Sequence, residues 1–258
     1  MADPIQTGVT PTCPACEAPL TSRADALHCP ACSETVPVVD GIPRFPVAVE
    51  QSAGPPVFDA LASIYETPLW FPVVYRVLGG PRAPIDDRST IVEALDVAGG
   101  DVLDVACGTG RVTRVLAADA AAVWGIDLSL EMLRRARRDA MRDGHDNVVV
   151  ARMNAEDLCF EDEAFEGVAC GWALHLFADI PTTVAEIQRV LAPGGRFAGT
   201  TLSAESPLAL PAAQYGLAQT IGAHVFDHEE LRDLLLETGF RTVQLERYGA
   251  ALFFSARK

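Results

Sequence analysis

From Asp101 onward, short apolar runs alternate with stretches in which apolar residues recur every three or four positions. The runs are "DVLDV", "AAVWGID", "NVVVARM", "EGVACGW" and "GRFAGTTL". They are nearly continuous in hydrophobicity, as expected of strands covered on both faces in a parallel sheet. Between them the spacing predicts helices from Arg111 to about Ala118, from a Ser129 cap to about Arg142, and over "TTVAEIQRVL". The end of the chain reads as a helix over "HEELRDLLLE", a Gly-Phe turn and two antiparallel strands. Alternating strand and helix predicts an α/β fold, a doubly wound, mostly parallel sheet of seven strands with helices on both faces.

The first hundred residues follow other patterns. Residues 1–46 carry short apolar pairs between prolines and cysteines and read as a small module. Residues 47–80 begin as a Pro- and Gly-containing linker and continue as "FDALASIYETPLWFPVVYRVLGG", an aromatic helical segment broken by Pro68 and Pro72. Broken helices suit a lid, and residues 81–258 form the main domain. Within it, residues 204–226 are an apolar, proline-broken insertion that reads as a substrate cap.

Cys13, Cys16, Cys29 and Cys32 make two Cys-x-x-Cys pairs. Each pair presents two thiolates on one turn, and two pairs complete the tetrahedron that Zn²⁺ prefers. A single redox pair needs no second pair in register, and seven cysteines in a chain of this length do not form a small secreted disulfide framework. Leu20 and Leu27 flank a polar turn between the pairs, as in a hairpin. A structural zinc ribbon is expected, with no position open for catalysis. Its final strand and residues 33–46 are expected to dock beside the lid. The cysteine pattern followed by "PVVDGIPRF" resembles the small zinc-ribbon activator of several methyltransferases.

Charge narrows the partners. The chain has 258 residues and a formal net charge of −15, and residues 1–50 set Arg23 and Arg44 against six acids. Phosphate-backbone binding rests on Lys and Arg, so composition argues against nucleic acid. The start, "MADPIQTGVT", lacks a basic and apolar leader, and the longest uncharged stretch, residues 206–226, is broken by Pro207 and Pro211. No membrane span is expected, and a cytoplasmic location is. The oligomeric state is left open.

The turn "ACGTGR" indicates the cofactor. Asp104 lies on the strand just before it, where an acid would repel a pyrophosphate but suits ammonium and sulfonium charge. Asp127 ends the next strand, where a carboxylate can take ribose hydroxyls. "DVACGTG", "GIDLS", "NAEDLCFEDEAFEGVACGWALHLF" and "RVLAPGGRF" together resemble class I S-adenosylmethionine-dependent methyltransferases over roughly residues 58–258. The resemblance implies that Asp104 and the backbone of Ala106, Gly108 and Gly110 hold the methionine end. It further implies Asp127 at the ribose, Leu128 against the adenine, Asn154 and Ala155 at the adenine edge, and Cys170 where backbone meets the cofactor. Tyr65, in the lid, is assigned to the same site.

The family usually has Asp at the position of Asn154, whose amide oxygen can still accept from the adenine amino group. His175, just beyond the fourth strand of the series, is the candidate general base, although relatives carry His there whatever they methylate. The aromatic lid, Trp172 and the apolar cap predict a pocket for a small organic acceptor. Two other readings remain: an RNA methyltransferase guided by its ribbon, and a cofactor-binding protein that regulates or does not methylate. A basic groove would favour the former.

Overall fold

The computed structural model describes residues 8–23, 25–47, 71–205 and 223–258. Tyr65, most of the lid and the middle of the cap lie outside the described residues. The N-terminal module is an antiparallel meander of four short strands: β1 (Thr21–Arg23), β2 (Ala26–His28), β3 (Thr35–Val39) and β4 (Ile42–Pro43). Asp40 and Gly41 join β3 to β4 with φ of 58° and 73°. Positive φ at both central residues is the two-residue turn that matches strand twist, and Asp-Gly is a favoured pair for it.

The main sheet has seven strands in the order β10-β11-β9-β8-β5-β6-β7. These are β5 (Asp101–Val105), β6 (Ala122–Asp127), β7 (Val148–Arg152), β8 (Phe165–Gly171), β9 (Leu191–Leu202), β10 (Thr242–Tyr248) and β11 (Ala251–Arg257). Five consecutive neighbours, β9 through β7, pair in parallel, and β11 runs antiparallel to both β9 and β10. Chain order runs outward from β5 to β6 and β7 on one side and resumes at β8 on the other. That reversal opens a crevice beyond the carboxyl ends of β5 and β8, where doubly wound sheets take ligands.

The helices are α1 (Phe71–Gly79), α2 (Asp87–Leu95), α3 (Arg111–Leu116), α4 (Leu130–Asp143), α5 (Ile180–Val190) and α6 (His228–Glu237). Their starts follow the sequence chemistry. The Ser129 hydroxyl accepts from Met132 N, and Asp227 and Glu230 form a reciprocal capping box that starts α6. His228 is the first residue of that helix and does not cap it.

The ribbon does not sit beside the described part of the lid. It covers the edge strand β7: Phe45 N donates to Arg152 O at 2.9 Å, and Thr12 N donates to Cys159 O at 2.8 Å. Leu20, Leu27, Val36 and Phe45 share one core with Trp124, Leu158 and Phe160. Helix α1 instead packs Tyr75 against Ala251 and Phe253 of β11, toward the opposite edge. The reason is physical: β7 exposes unpaired backbone groups and an apolar margin, and an edge strand needs cover more than a helix does.

Candidate functional site

Strand β5 delivers the chain into a turn in which Ala106, Gly108 and Gly110 all have positive φ, of 54°, 54° and 76°. A Cβ on Gly108 would meet nothing within 4 Å, so its backbone faces open space and a ligand can approach it closely. A Cβ on Gly110 would lie 3.1 Å from the Cβ of Ala136, so this glycine serves the contact between α3 and α4. Cys107 is buried, and a Cβ on Gly125 would reach its sulfur at 3.0 Å. Burial pushes the Cys107 thiol well up, with the Asp104 and Asp127 charges adding to it, so the group is packing and not a nucleophile.

Asp127, at the end of β6, is tied to this turn. One carboxylate oxygen accepts from Gly108 N at 2.9 Å and the other from Ser129 N at 2.8 Å. Two backbone donors fix the carboxylate plane beside the open glycine. A carboxylate has about four acceptor positions, so this grip leaves capacity for ribose hydroxyls. Thr109, within the turn, is 1% exposed and its hydroxyl oxygen has no hydrogen-bond partner among the described residues.

Asp104 is 1% exposed and accepts from the Thr113 hydroxyl at 2.6 Å. Burial pushes its pKa up to about 7, opposed by the Thr113 bonds and helped by the Asp127 charge. A buried acid that ionises only near neutrality is poised to take a cation. Leu128 and Ala106 are half-buried and Ala155 is buried. Asn154 Oδ1 accepts from Glu156 N at 3.1 Å, so the amide oxygen expected at the adenine already serves a local turn. Cys170 is fully buried and faces Gly199 across β8 and β9, where a Cβ would lie 2.0 Å from the Cys170 carbonyl oxygen.

His175 lies in a short 3₁₀ turn, Leu174–Leu176, just past β8. Its Nδ1 is 3.3 Å from the Thr201 hydroxyl, and its carbonyl accepts from His224 N at the return from the cap. Burial, with a contribution from His224, lowers its pKa to about 4. The ring is therefore neutral throughout the physiological range.

One part of this end of the sheet was not legible in the sequence. Trp172, directly after β8, has φ of 60°, a costly conformation for a bulky residue. Its indole nitrogen donates to Asp87 Oδ2 at 2.9 Å, while the Arg111 guanidinium donates to Asp87 Oδ1 at 2.8 Å. Asp87 is 2% exposed and opens α2, and Arg111 opens α3 just past the glycine turn. Tyr75 of α1 meets the indole edge to face at 5.9 Å. One buried carboxylate thus ties the glycine turn, the end of β8 and the lid helix together. Trp172→Phe keeps the ring contact but deletes a charge-assisted hydrogen bond inside the protein. It is expected to destabilise the chain by about 2 kcal/mol, or about 5 °C in melting temperature. An unchanged melting curve would show that Asp87 is held by Arg111 alone.

The four ribbon cysteines converge, with all four sulfurs within 4.8 Å of one another. Pairs separated by 3.4 to 3.5 Å include Cys13–Cys32, Cys16–Cys29 and Cys16–Cys32. Sulfurs at the corners of a zinc tetrahedron lie about 3.8 Å apart, given Zn–S bonds near 2.3 Å. Ala15 N points at Cys13 Sγ and Cys32 N at Cys29 Sγ, each at 3.4 Å, the donors that stabilise thiolate charge. The Cys32 N–H beside it helps hold the Cys29 thiol down at about 6. The donor set fits a tetrathiolate metal.

Residues 103–199 match the family model described as a methyltransferase domain. A demethylmenaquinone methyltransferase of Symbiobacterium thermophilum is 44% identical over 145 residues, which are 55% of this chain and 55% of that one. A malonyl-[acyl-carrier protein] O-methyltransferase of Halorhodospira halophila is 36% identical over 142 residues, 54% of this chain and 48% of that one. The solved structure of a SAM-dependent methyltransferase from Aquifex aeolicus superposes with a TM-score of 0.60 at 17% identity, covering 77% of this chain and 97% of the other. The chain spans about half the length of the curated relatives it matches. The matched segment lies within this sheet: residues 103–199 are similar to a methyltransferase domain, and the sheet around them has the methyltransferase Rossmann-like fold. No helix among the described residues is long and apolar enough to cross a membrane.

Proposed function

We propose that the chain transfers the methyl group of S-adenosylmethionine to a small organic acceptor, and that one zinc ion holds the ribbon for structure alone. The observation that carries this reading is the pairing of an open Gly108 with an Asp127 carboxylate fixed at 2.9 Å from its nitrogen. The cofactor supplies a methyl carbon already activated by a sulfonium. Asp104 takes the ammonium end, the open Gly108 lets the methionine approach a backbone that Ala106 and Gly110 complete, and Asp127 takes the ribose. Leu128 and Ala155 cover the adenine, Asn154 meets its edge, and the backbone at Cys170 closes the methyl side. Tyr65 is assigned to the same cofactor-binding set.

Alignment of the acceptor atom with the methyl carbon is the main catalytic task, and the Trp172 ring with the cap provides the apolar wall for it. His175, neutral and fastened to Thr201, accepts the acceptor's O–H or N–H without first shedding a proton. The name of the Symbiobacterium relative supports a ring-bearing, apolar acceptor of the quinone kind. On this reading the ribbon acts on its own chain as the methyltransferase-activator family that its cysteine pattern resembles acts on separate partners, and the convergence of the four cysteines supports it.

Asp127→Ala removes two charge-assisted hydrogen bonds to the ribose. It should weaken S-adenosylhomocysteine binding by about 2 kcal/mol, close to thirtyfold, in calorimetry. Equal affinity in the variant would take Asp127 out of the site and the reading with it.

A further inference from the structure

A cavity of about 470 Å³ lies between the ribbon turn and α4. Arg134, Arg137, Arg138 and Arg142 line it from the helix, and Asp40 is the one acid among its lining residues. The chain has 35 acidic against 20 basic residues, so four guanidiniums around one concavity run against its composition. Along α4 the repeat 134, 138, 142 stacks like charges at every fourth position, which disfavours a helix by a few tenths of a kcal/mol per pair.

The four are not equivalent. Arg134 pairs with Glu131 and lies 3.5 Å from Asp40, and Arg142 pairs with Asp139 at 2.9 Å and Asp143 at 3.0 Å. Neither Arg137 nor Arg138 has an ion pair or hydrogen bond among the described residues. Arg137 is half-buried, and its guanidinium lies flat on Gly41, where a Cβ would come within 2.6 Å of it. The ribbon turn therefore holds a charged fork in place without neutralising it. Ile42, buried, and Met141, 61% exposed, add apolar surface to the lining.

We infer that this cavity binds a small phosphomonoester with an apolar body, its phosphate between Arg137 and Arg138 and its body against Ile42 and Met141. A planar fork that keeps its donors matches phosphate oxygens two at a time, and the volume suits a small ligand. Long-range repulsion from the acidic surface is screened within about 8 Å at physiological salt, so the local arginines govern. Arg138 lies nine residues past Ser129, about 13 Å down the helix axis, so this site is separate from the glycine turn. Its occupant would bridge the ribbon to the helix that begins beside Asp127, whatever reaction the main domain performs.

Calorimetry on the full chain with phenyl phosphate tests the site, with phenol and a single-stranded RNA as the other titrants. Phenyl phosphate should bind saturably with Kd below about 1 mM at about 50 mM salt. The double variant Arg137→Gln, Arg138→Gln should bind it at least about tenfold more weakly, with its melting temperature and S-adenosylhomocysteine affinity kept. Absence of saturation, equal binding by the variant, or phenol binding as well as phenyl phosphate would each overturn the inference. RNA binding more tightly than phenyl phosphate, and lost in the same variant, would overturn it in favour of a nucleic-acid contact.

Discussion

Stripping the metal from the ribbon should unfold it and lower the melting temperature of the whole chain by more than about 10 °C. Tetrathiolate zinc contributes on the order of 10 kcal/mol to folding a module of this kind, because fewer than fifty residues bury too little apolar surface alone. The loss spreads because Leu20, Leu27, Val36 and Phe45 pack into the core that holds Trp124, Leu158 and Phe160. Losing them uncovers the edge of β7 and an apolar margin beneath it. A chelator titration followed by calorimetry, with metal analysis giving one zinc per chain, measures this. Cys29→Ser should reproduce the effect without chelator. Stability unchanged by either treatment would mean that the ribbon is a tethered adaptor and that its contacts with β7 carry no weight.

Local chemistry made much of this fold legible, and long-range geometry accounts for what was not. The strands over 101–105, 122–127 and 148–152 follow from apolar runs bounded by acids and turns, and α4 starts at Ser129 because its hydroxyl reaches Met132 N. Four thiols in two pairs announced their own convergence. The ribbon's seat on β7 was not legible, because nothing in the first 46 residues says which edge is free. Asp87 was equally silent: "DDRST" reads as an ordinary helix start, and its partners Arg111 and Trp172 lie 24 and 85 positions away. Along α4 the sequence shows only arginines interleaved with the acids Glu131, Asp139 and Asp143. The structure assigns those acids to Arg134, Arg142, Arg135 and Arg114, and leaves Arg137 and Arg138 facing the ribbon turn.

Between about pH 4 and 6.5 the stability of the cofactor-free chain should receive two opposing contributions of equal slope. His175 has a folded pKa of about 4, below its unfolded value near 6.5, so its contribution is present above pH 6.5 and is lost as pH falls toward 4. Asp104 has a folded pKa of about 7, above its unfolded value near 3.8, so its contribution is present below pH 3.8 and is lost as pH rises toward 7. In the shared window each group changes stability by about 1.4 kcal/mol per pH unit, one upward and one downward. Single variants unmask the pair. Asp104→Asn should leave a chain that loses about 3 kcal/mol between pH 6.5 and 4, and His175→Gln one that gains about as much over the same interval. Ligand binding works on the same balance. An ammonium beside Asp104 favours the carboxylate, so S-adenosylhomocysteine should bind more tightly as pH rises from 5 to about 7 and should release a proton on binding below that pH. Denaturant melts of the two variants at three pH values, and calorimetry in buffers of different ionisation enthalpy, measure both effects. Parallel pH profiles for wild type and Asp104→Asn, with no proton released on binding, would show that Asp104 is already ionised in the empty site and does not receive the cation.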